Sequence, residues 1–393
     1  MSIFRTLDDF DMTGKRVLLR VDMNVPIHDG VITDTTRIER TIPTLREVLA
    51  KGAGIILCSH LGRPEGRVIE KFSLEPLMQI LRSFLPNINI NFSPDGELVA
   101  QPGEIVLLEN LRFNPGEESN TSAFARFLSE LGDIYINDAF SCSHRAHASI
   151  DGVAHLMPSG AGRLMQQELE ALDHALNHSE HPVAAVVGGN KISTKLGVLE
   201  NLIRKVDHLI VGGAMANTFL YAKGINIGNS LCEKNLSETA LLILLHAKKF
   251  NCEIILPIDV VCANNLNDKL HINKCDVKNI PSNQMVLDLG SKTIKLISKY
   301  ISKSDMILWN GPLGAFEHKP FENSSIEIAN FIKDRFSNST TQVIAGGGDT
   351  ISAIKLAHAE EGFTYISNAG GAFLEWLEGK KSPGVSALEK NQI

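Results

Sequence analysis

The chain has 393 residues, 44% of them hydrophobic and 21% charged, with a net charge of −7. That length exceeds one ordinary core and points to two domains. The negative balance excludes a protein that works through a basic nucleic-acid surface, and no apolar run of about 18 residues is present to cross a membrane. The opening MSIFRTLDDFD lacks the basic flank and apolar core of a secretory signal. Six cysteines without a CxxC pair read as reduced thiols rather than a disulfide framework or zinc site, so a cytoplasmic protein is expected.

In the first half, apolar runs at Val17–Val21, Gly54–Cys58, Ile88–Ile90, Ile105–Leu108 and Ile134–Ile136 read as strands, separated by helical spacings such as Leu74, Leu77, Met78, Leu81, Phe84 and Leu85. Polar motifs follow them. Arg20-Val21-Asp22-Met23-Asn24-Val25-Pro26 turns at its proline. If the strand persists, Asp22 and Asn24 point the same way and offer an acceptor and an amide; the alternative is an Asx turn. Arg37 precedes an amphipathic helix that Pro43 is expected to start. His60 and Arg63 in Ser59-His60-Leu61-Gly62-Arg63-Pro64, Arg112 after Glu109-Asn110-Leu111, and Arg145 in the segment 137–147 each come after a strand. One such arginine is an ordinary solvated charge. As a set they converge on a pocket for a polyanion.

The stretch from Gly162 to Leu176 carries Leu164, Glu168, Leu172 and Leu176 four apart and reads as the interdomain connection, ending in His178-Ser179-Glu180-His181-Pro182.

In the second half, strands are expected at Val183–Val187, Leu209–Val211, Glu253–Pro257, Met306–Trp309, Gln342–Ala345 and Thr364–Ile366. Continuous apolar strands alternating with helices mean parallel sheets covered on both faces, with ligands at the carboxyl ends of the strands. Val187-Gly188-Gly189-Asn190-Lys191-Ile192-Ser193-Thr194-Lys195 places two lysines four apart, read as one helical face aimed at phosphate. It is not a Walker A loop. Gly212 and Gly213 offer bare backbone to a flat base, and Glu317, after Trp309-Asn310-Gly311-Pro312, is a candidate for a ribose hydroxyl. Gly346-Gly347-Gly348-Asp349-Thr350 joins a strand to a helix start that suits phosphate, and Asp349 beside an anion suggests Mg²⁺; the alternative is Asp349 as a helix N-cap.

Chemistry divides between the halves. Thirteen of 15 arginines lie at or before Arg163, whereas every Gly-Gly pair lies in the second half. The first half therefore suits a small anionic substrate and the second a nucleotide.

Taken together, RVDMNVP, HLGRP, LLENLRF, NDAFSCSHRAHAS, GGNKISTKL, LPIDVV, WNGPLGAFE, IAGGGDT and PGVSALE resemble the phosphoglycerate kinases over essentially the whole chain. The resemblance implies two doubly wound, Rossmann-like parallel-sheet domains facing across a hinge-closing cleft. It divides the chain into residues 1–169 for the glycerate, 170–375 for the nucleotide, and 376–393 packing back on the first domain. It implies reversible phosphoryl transfer from 1,3-bisphosphoglycerate to Mg·ADP, giving 3-phosphoglycerate and ATP, by a monomer that uses neither nucleic acid nor membrane. By motif match, Asp22, Met23, Asn24, Arg37, His60, Leu61, Gly62, Arg63, Arg112 and Arg145 would hold the glycerate. Lys191, Lys195, Gly212, Gly213, Asn310, Glu317, Gly347, Gly348, Asp349 and Thr350 would surround the nucleotide, with Asp349 on the metal. Arg37, Lys191 and the amides of Gly347 and Gly370 would hold the phosphoryl group in flight.

Two stretches depart from the family pattern: Ser141-Cys142-Ser143 stands for Gly-Thr-Ala, and Asn368-Ala369 for Thr-Gly. Both are expected to adjust affinity and leave activity. Rival readings are an NAD-dependent dehydrogenase, disfavoured because no GxGxxG follows an early strand, and an inactive nucleotide sensor, disfavoured because Arg37, Lys191 and Asp349 are all present.

Overall fold

The structure is a computed structural model that describes residues 4–28, 31–177, 180–367 and 369–389. The chain forms two compact units, Met1–Glu170 with Lys381–Ile393, and Ala171–Lys380.

In the first unit the strands are β1 (Arg16–Arg20), the hairpin pair β2 (Ile27–His28) and β3 (Val31–Ile32), β4 (Gly54–Cys58), β5 (Asn89–Ser93), β6 (Glu104–Leu108), β7 (Ile134–Asn137) and β8 (Ser159–Ala161). Six of them make one parallel sheet in the order β5-β6-β4-β1-β7-β8. β1 and β4 are buried almost end to end, as a sheet covered on both faces requires. β1 stops at Arg20, so Asp22 and Asn24 do not lie on a strand. Asn24 N–H donates to Asp22 Oδ1 at 3.0 Å, the Asx turn.

The helix Thr36–Ala50 begins seven residues before Pro43, which sits inside it. A mid-helix proline costs about 3 kcal/mol through the lost N–H and the clash with the preceding turn. Ile38, Ile42, Leu45 and Val48 bury one face of this helix against Leu19, Ile55 and Leu57. Four such side chains contribute about 1.5–3 kcal/mol each, so the burial outweighs the proline.

The helix Arg163–Asn177 carries the chain out of the first unit. Its root is fixed there: buried Asp138 accepts from Met165 N at 2.9 Å, and the Arg163 guanidinium donates to both Asp8 and Glu47. Near the other end of the chain, Gly384 N donates to Ser143 O at 2.9 Å and Glu389 bridges Phe4.

The second unit holds β9 (Val183–Val187), β10 (His208–Val211), β11 (Glu253–Ile255), β12 (Asp259–Ala263), β13 (Asn273–Asp276), β14 (Met285–Leu289), β15 (Met306–Asn310), β16 (Gln342–Gly346) and β17 (Tyr365–Ser367). Six are parallel in the order β11-β10-β9-β15-β16-β17. Trp309, Ile307, Val343 and Ile354 lie in its core. β12, β13 and β14 form a separate antiparallel sheet that the apolar-run reading did not find. β13 reads Asn-Lys-Cys-Asp and is only half buried, so it leaves no apolar run to see. No helix among the described residues is long and apolar enough to cross a membrane.

Candidate functional site

Four strands of the first sheet end side by side, and the polar segments that follow them meet at their carboxyl edge. Asp22, after β1, is the centre. Its Oδ2 accepts from Arg37 NH1 and from Ser141 Oγ, and its Oδ1 from Asn24 N. A carboxylate has about four acceptor positions, so three are filled and one remains for a ligand hydroxyl. Arg37 projects from the first turn of its helix, 40% exposed. Asn24 Oδ1 is taken by Gly62 N at 2.9 Å, which pins the β4 loop to the β1 loop.

His60 follows β4 and is 4% exposed. Arg20 NH2 lies 3.1 Å from its Nδ1. A guanidinium only donates, so Nδ1 is the acceptor and the proton sits on Nε2. Burial, then the charges of Arg20, Arg112, Arg145 and Arg37, hold the imidazole well below its ordinary pKa. His60 is therefore a neutral donor through Nε2–H.

Arg20 is itself 1% exposed and fully engaged. Its Nε donates to Ser149 Oγ at 2.9 Å and its NH1 to Val21 O; Ser149 Oγ donates in turn to Glu117 Oε1 at 2.6 Å. Burial raises the Glu117 pKa while the Arg20 charge opposes the rise. The result is a buried chain, Glu117–Ser149–Arg20–His60, that fixes one imidazole. His147, beside Glu117, is lowered to about 4 by burial and then by Arg112 and Arg20.

Arg112 lies in the turn after β6, its NH1 donating to Gly62 O at 2.8 Å. Its buried Nε is 3.3 Å from Glu118 Oε1 without hydrogen-bond geometry, so the fork is held on one side only. Arg145 Nε donates to His144 Nε2 at 3.1 Å. Arg63 is exposed. The Met23 and Leu61 side chains lie in the apolar core, leaving only their backbone to a ligand. Arg20, Ser149 and Glu117 were not singled out from sequence, and Ser141 only as part of a departure from the family pattern. An arginine closing the otherwise apolar strand Arg-Val-Leu-Leu-Arg was a legible signal; the others depend on contacts between distant segments.

In the second unit, glycines cluster where β9, β10, β15 and β16 end. A Cβ on Gly188 would sit 1.9 Å from Pro312 O, and one on Gly213 (φ +67°) 2.6 Å from Gly189 O. Those two are glycine because backbones cross there. Gly348 and Gly370 differ: a Cβ on either would meet nothing within 4 Å. They open the helices Gly348–Leu356 and Gly370–Leu377 with room around them for a side chain, so no crossing backbone requires glycine there.

Lys195 ends a 3-10 turn, Ser193–Lys195, while Lys191 lies in the preceding loop. The two lysines therefore do not share a helical face: the glycine turn after β9 runs on before any helix begins. Lys195 Nζ donates to Asn310 O at 3.0 Å and to Asn310 Oδ1 at 2.5 Å, and Asn310 Nδ2 donates to Gly346 O at 2.8 Å. Burial lowers Lys195 to about 8, with the Asp349 charge opposing.

Gly347 (φ +100°), not Asp349, is the N-cap of the helix Gly348–Leu356, and no side chain caps it. Asp349 is exposed and its carboxylate makes no hydrogen bond among the described residues. Thr350 is buried, its Oγ1 accepting from Gly311 N at 2.7 Å, so it ties the turn after β15 to the helix Gly348–Leu356. Glu317 and Lys191 are exposed. Asn368 lies outside the described residues; Ala369 is the N-cap of the helix Gly370–Leu377.

A family model described as "Phosphoglycerate kinase" matches residues 7–380. Curated relatives named phosphoglycerate kinase, from Chelativorans sp. (strain BNC1) and Sinorhizobium medicae (strain WSM419), are each 48% identical over 398 residues, covering 99% of this chain and 100% of theirs. The solved phosphoglycerate kinase of Coxiella burnetii is 39% identical with a TM-score of 0.94, covering 99% of this chain and 100% of that one. That of Pyrococcus horikoshii OT3 is 30% identical with a TM-score of 0.77, covering 98% of each.

Proposed function

From the premise that the chain belongs to the phosphoglycerate kinase family, we propose how its own residues carry out that family's reaction, the reversible transfer of a phosphoryl group between 1,3-bisphosphoglycerate and ADP. The glycerate occupies the first-unit pocket. The last acceptor position of Asp22 takes a hydroxyl, His60 Nε2–H donates to an oxygen, and Arg37, Arg63, Arg112 and Arg145 neutralise carboxyl and phosphate charge. The nucleotide occupies the glycine-lined edge of the second unit. Its phosphates lie on the N–H groups of Gly347, Gly348 and Gly370, with Lys191 and Lys195 as point charges and Glu317 reserved for the ribose.

The observation that carries this reading is the neutral histidine held among guanidinium groups. Both attacking groups, a carboxylate and a diphosphate oxygen, are already ionised at neutral pH, so no proton has to be removed. His60 and His147 are both held neutral, and the positive charge comes from arginine and lysine. Catalysis is then positioning and charge neutralisation, with Arg37, Lys191 and the Gly347 and Gly370 amides on the moving phosphoryl group.

Asp349 suits Mg²⁺: it is an exposed, uncapped hard-oxygen donor beside a helix start, and this ion is held by one or two carboxylates together with phosphate and water. When bound, the ion supplies charge to the diphosphate. All six cysteines are unpaired, which accords with a reducing cytoplasm. Coupled formation of ATP from 1,3-bisphosphoglycerate and ADP tests the reading; background turnover by folded protein refutes it.

A further inference from the structure

Lys191 and Lys195 are held in different ways. Lys195 is gripped through its side chain by Asn310, whereas Lys191 is exposed, in a loop that starts from Gly188 and Gly189. Glycines restrain a chain weakly, so the Lys191 charge is placed only as well as the backbone beyond it is fixed. Ile192 is buried. Two polar contacts set the direction of the turn around it. Thr194 Oγ1 donates to Lys191 O at 2.9 Å, and Glu233 clamps Ser193: its Oε2 accepts from Ser193 N at 2.9 Å and its Oε1 from Ser193 Oγ at 2.6 Å. The carboxylate thus lies at the N-terminus of the 3-10 turn Ser193–Lys195, whose own N-cap, Ile192, offers no side-chain acceptor. Burial raises the Glu233 pKa, but the Ser193 bonds, the Ile192 N–H and the Lys191 charge together hold it below its ordinary value.

Glu233 is itself fixed. Its N–H donates to Thr218 Oγ1 at 3.2 Å, and Asn217 Nδ2 donates to Leu231 O at 3.2 Å. Asn217 and Thr218 are each 1% exposed, on the helix Gly213–Ala222. Met215 N in the first turn of that helix donates to Gly189 O at 3.0 Å. One helix therefore holds the lysine loop at both ends, directly at Gly189 and through Glu233 at Ser193. As a charge alone, a carboxylate beside a lysine meant for phosphate is a poor choice, because it repels the diphosphate. As a clamp it has a use. We propose that Glu233 is a positioning residue for phosphoryl transfer, fixing through Ser193 the backbone from which Lys191 reaches the moving group. This rests on the placement of Lys191 given under the proposed function.

Steady-state kinetics of ATP formation by Glu233→Gln, Lys191→Ala and the double variant test it. The amide keeps the size of Glu233 but can no longer accept through both arms, and it carries no charge. In Glu233→Gln, kcat should fall about tenfold, the worth of one charge-assisted hydrogen bond. KM for ADP and for 3-phosphoglycerate should stay within about twofold, since the loss is confined to the transition state. A purely electrostatic role predicts the opposite sign, because removing the charge relieves repulsion of the diphosphate. In the Lys191→Ala background, Glu233→Gln should change kcat by less than about twofold, whereas a general loosening of the unit would multiply the two losses. An impaired Lys191→Ala beside a folded Glu233→Gln with unchanged or raised kcat overturns the proposal alone, and so do losses that multiply. Lys191→Ala at the parental rate overturns the placement of Lys191 and this proposal with it.

Discussion

Replacing Arg20 by lysine keeps a positive charge but removes the fork that reaches Ser149, Val21 and His60 at once. One ammonium cannot span the three divergent acceptors. His60 then loses the donor that fixes its tautomer, and Nε2 is no longer committed to donate. A hydrogen bond to a charged group is worth about 1.5–3 kcal/mol, which is roughly 10- to 150-fold in affinity. Steady-state kinetics should show KM for 3-phosphoglycerate raised by about that factor, while kcat stays within about threefold because no proton transfer is lost. Imidazole ¹⁵N shifts read the tautomer directly. Disturbing the buried Glu117–Ser149–Arg20 chain also costs stability, about 1–3 kcal/mol for a buried group left unsatisfied, to be measured separately by thermal unfolding. Because Arg20 acts through His60, the effects of Arg20→Lys and His60→Ala on KM should not add. A variant that folds and keeps KM within about twofold, or a strictly additive pair, refutes the reasoning.

Gly348→Ala should leave the melting temperature unchanged or slightly higher, since the added methyl meets open space in a helical first turn, yet weaken ADP binding; unchanged affinity by calorimetry would remove the backbone-cradle argument. Lys195, lowered to about 8, loses its proton as pH rises through that value. So kcat/KM for ADP should fall there, and Lys195→Arg should shift the fall beyond the measurable range; a flat profile in the parent chain contradicts the assignment. Burial raises Asp288 to about 7 from an ordinary 3.8, despite two bonds from Ser324. The folded chain therefore binds this proton more tightly. Its stabilisation is complete below about pH 4 and is lost as pH rises through 7. Melting curves of the parent chain and Asp288→Asn, run from pH 5 to 8, should converge or cross as the parent weakens; parallel behaviour would show that Asp288 does not titrate there.

The sequence made the parallel sheets legible because their strands are continuous apolar runs, as Gly54–Cys58 and Val183–Val187 illustrate. It could not show β13, whose polar residues lie half buried, nor that Pro43 would sit inside a helix, a choice made by four buried aliphatic residues rather than by local propensity. Charged residues stationed after strands pointed to both candidate ligand edges. What remained hidden was how they are held. Ser149 and Glu117 are unremarkable in sequence and act only because folding brings them against Arg20, more than 90 residues away. The glycines behaved similarly: Gly188 and Gly348 look alike as letters, but one is required by a crossing backbone and the other faces open space.

The central claim is that glycerate and nucleotide bind to separate units through separate charges. Titration calorimetry of Arg37→Ala and Lys195→Ala with 3-phosphoglycerate and with Mg·ADP tests it in four measurements. The account predicts that Arg37→Ala loses 3-phosphoglycerate binding and keeps ADP, and that Lys195→Ala does the reverse. Loss of both ligands by one folded variant, or the opposite pairing, would contradict it.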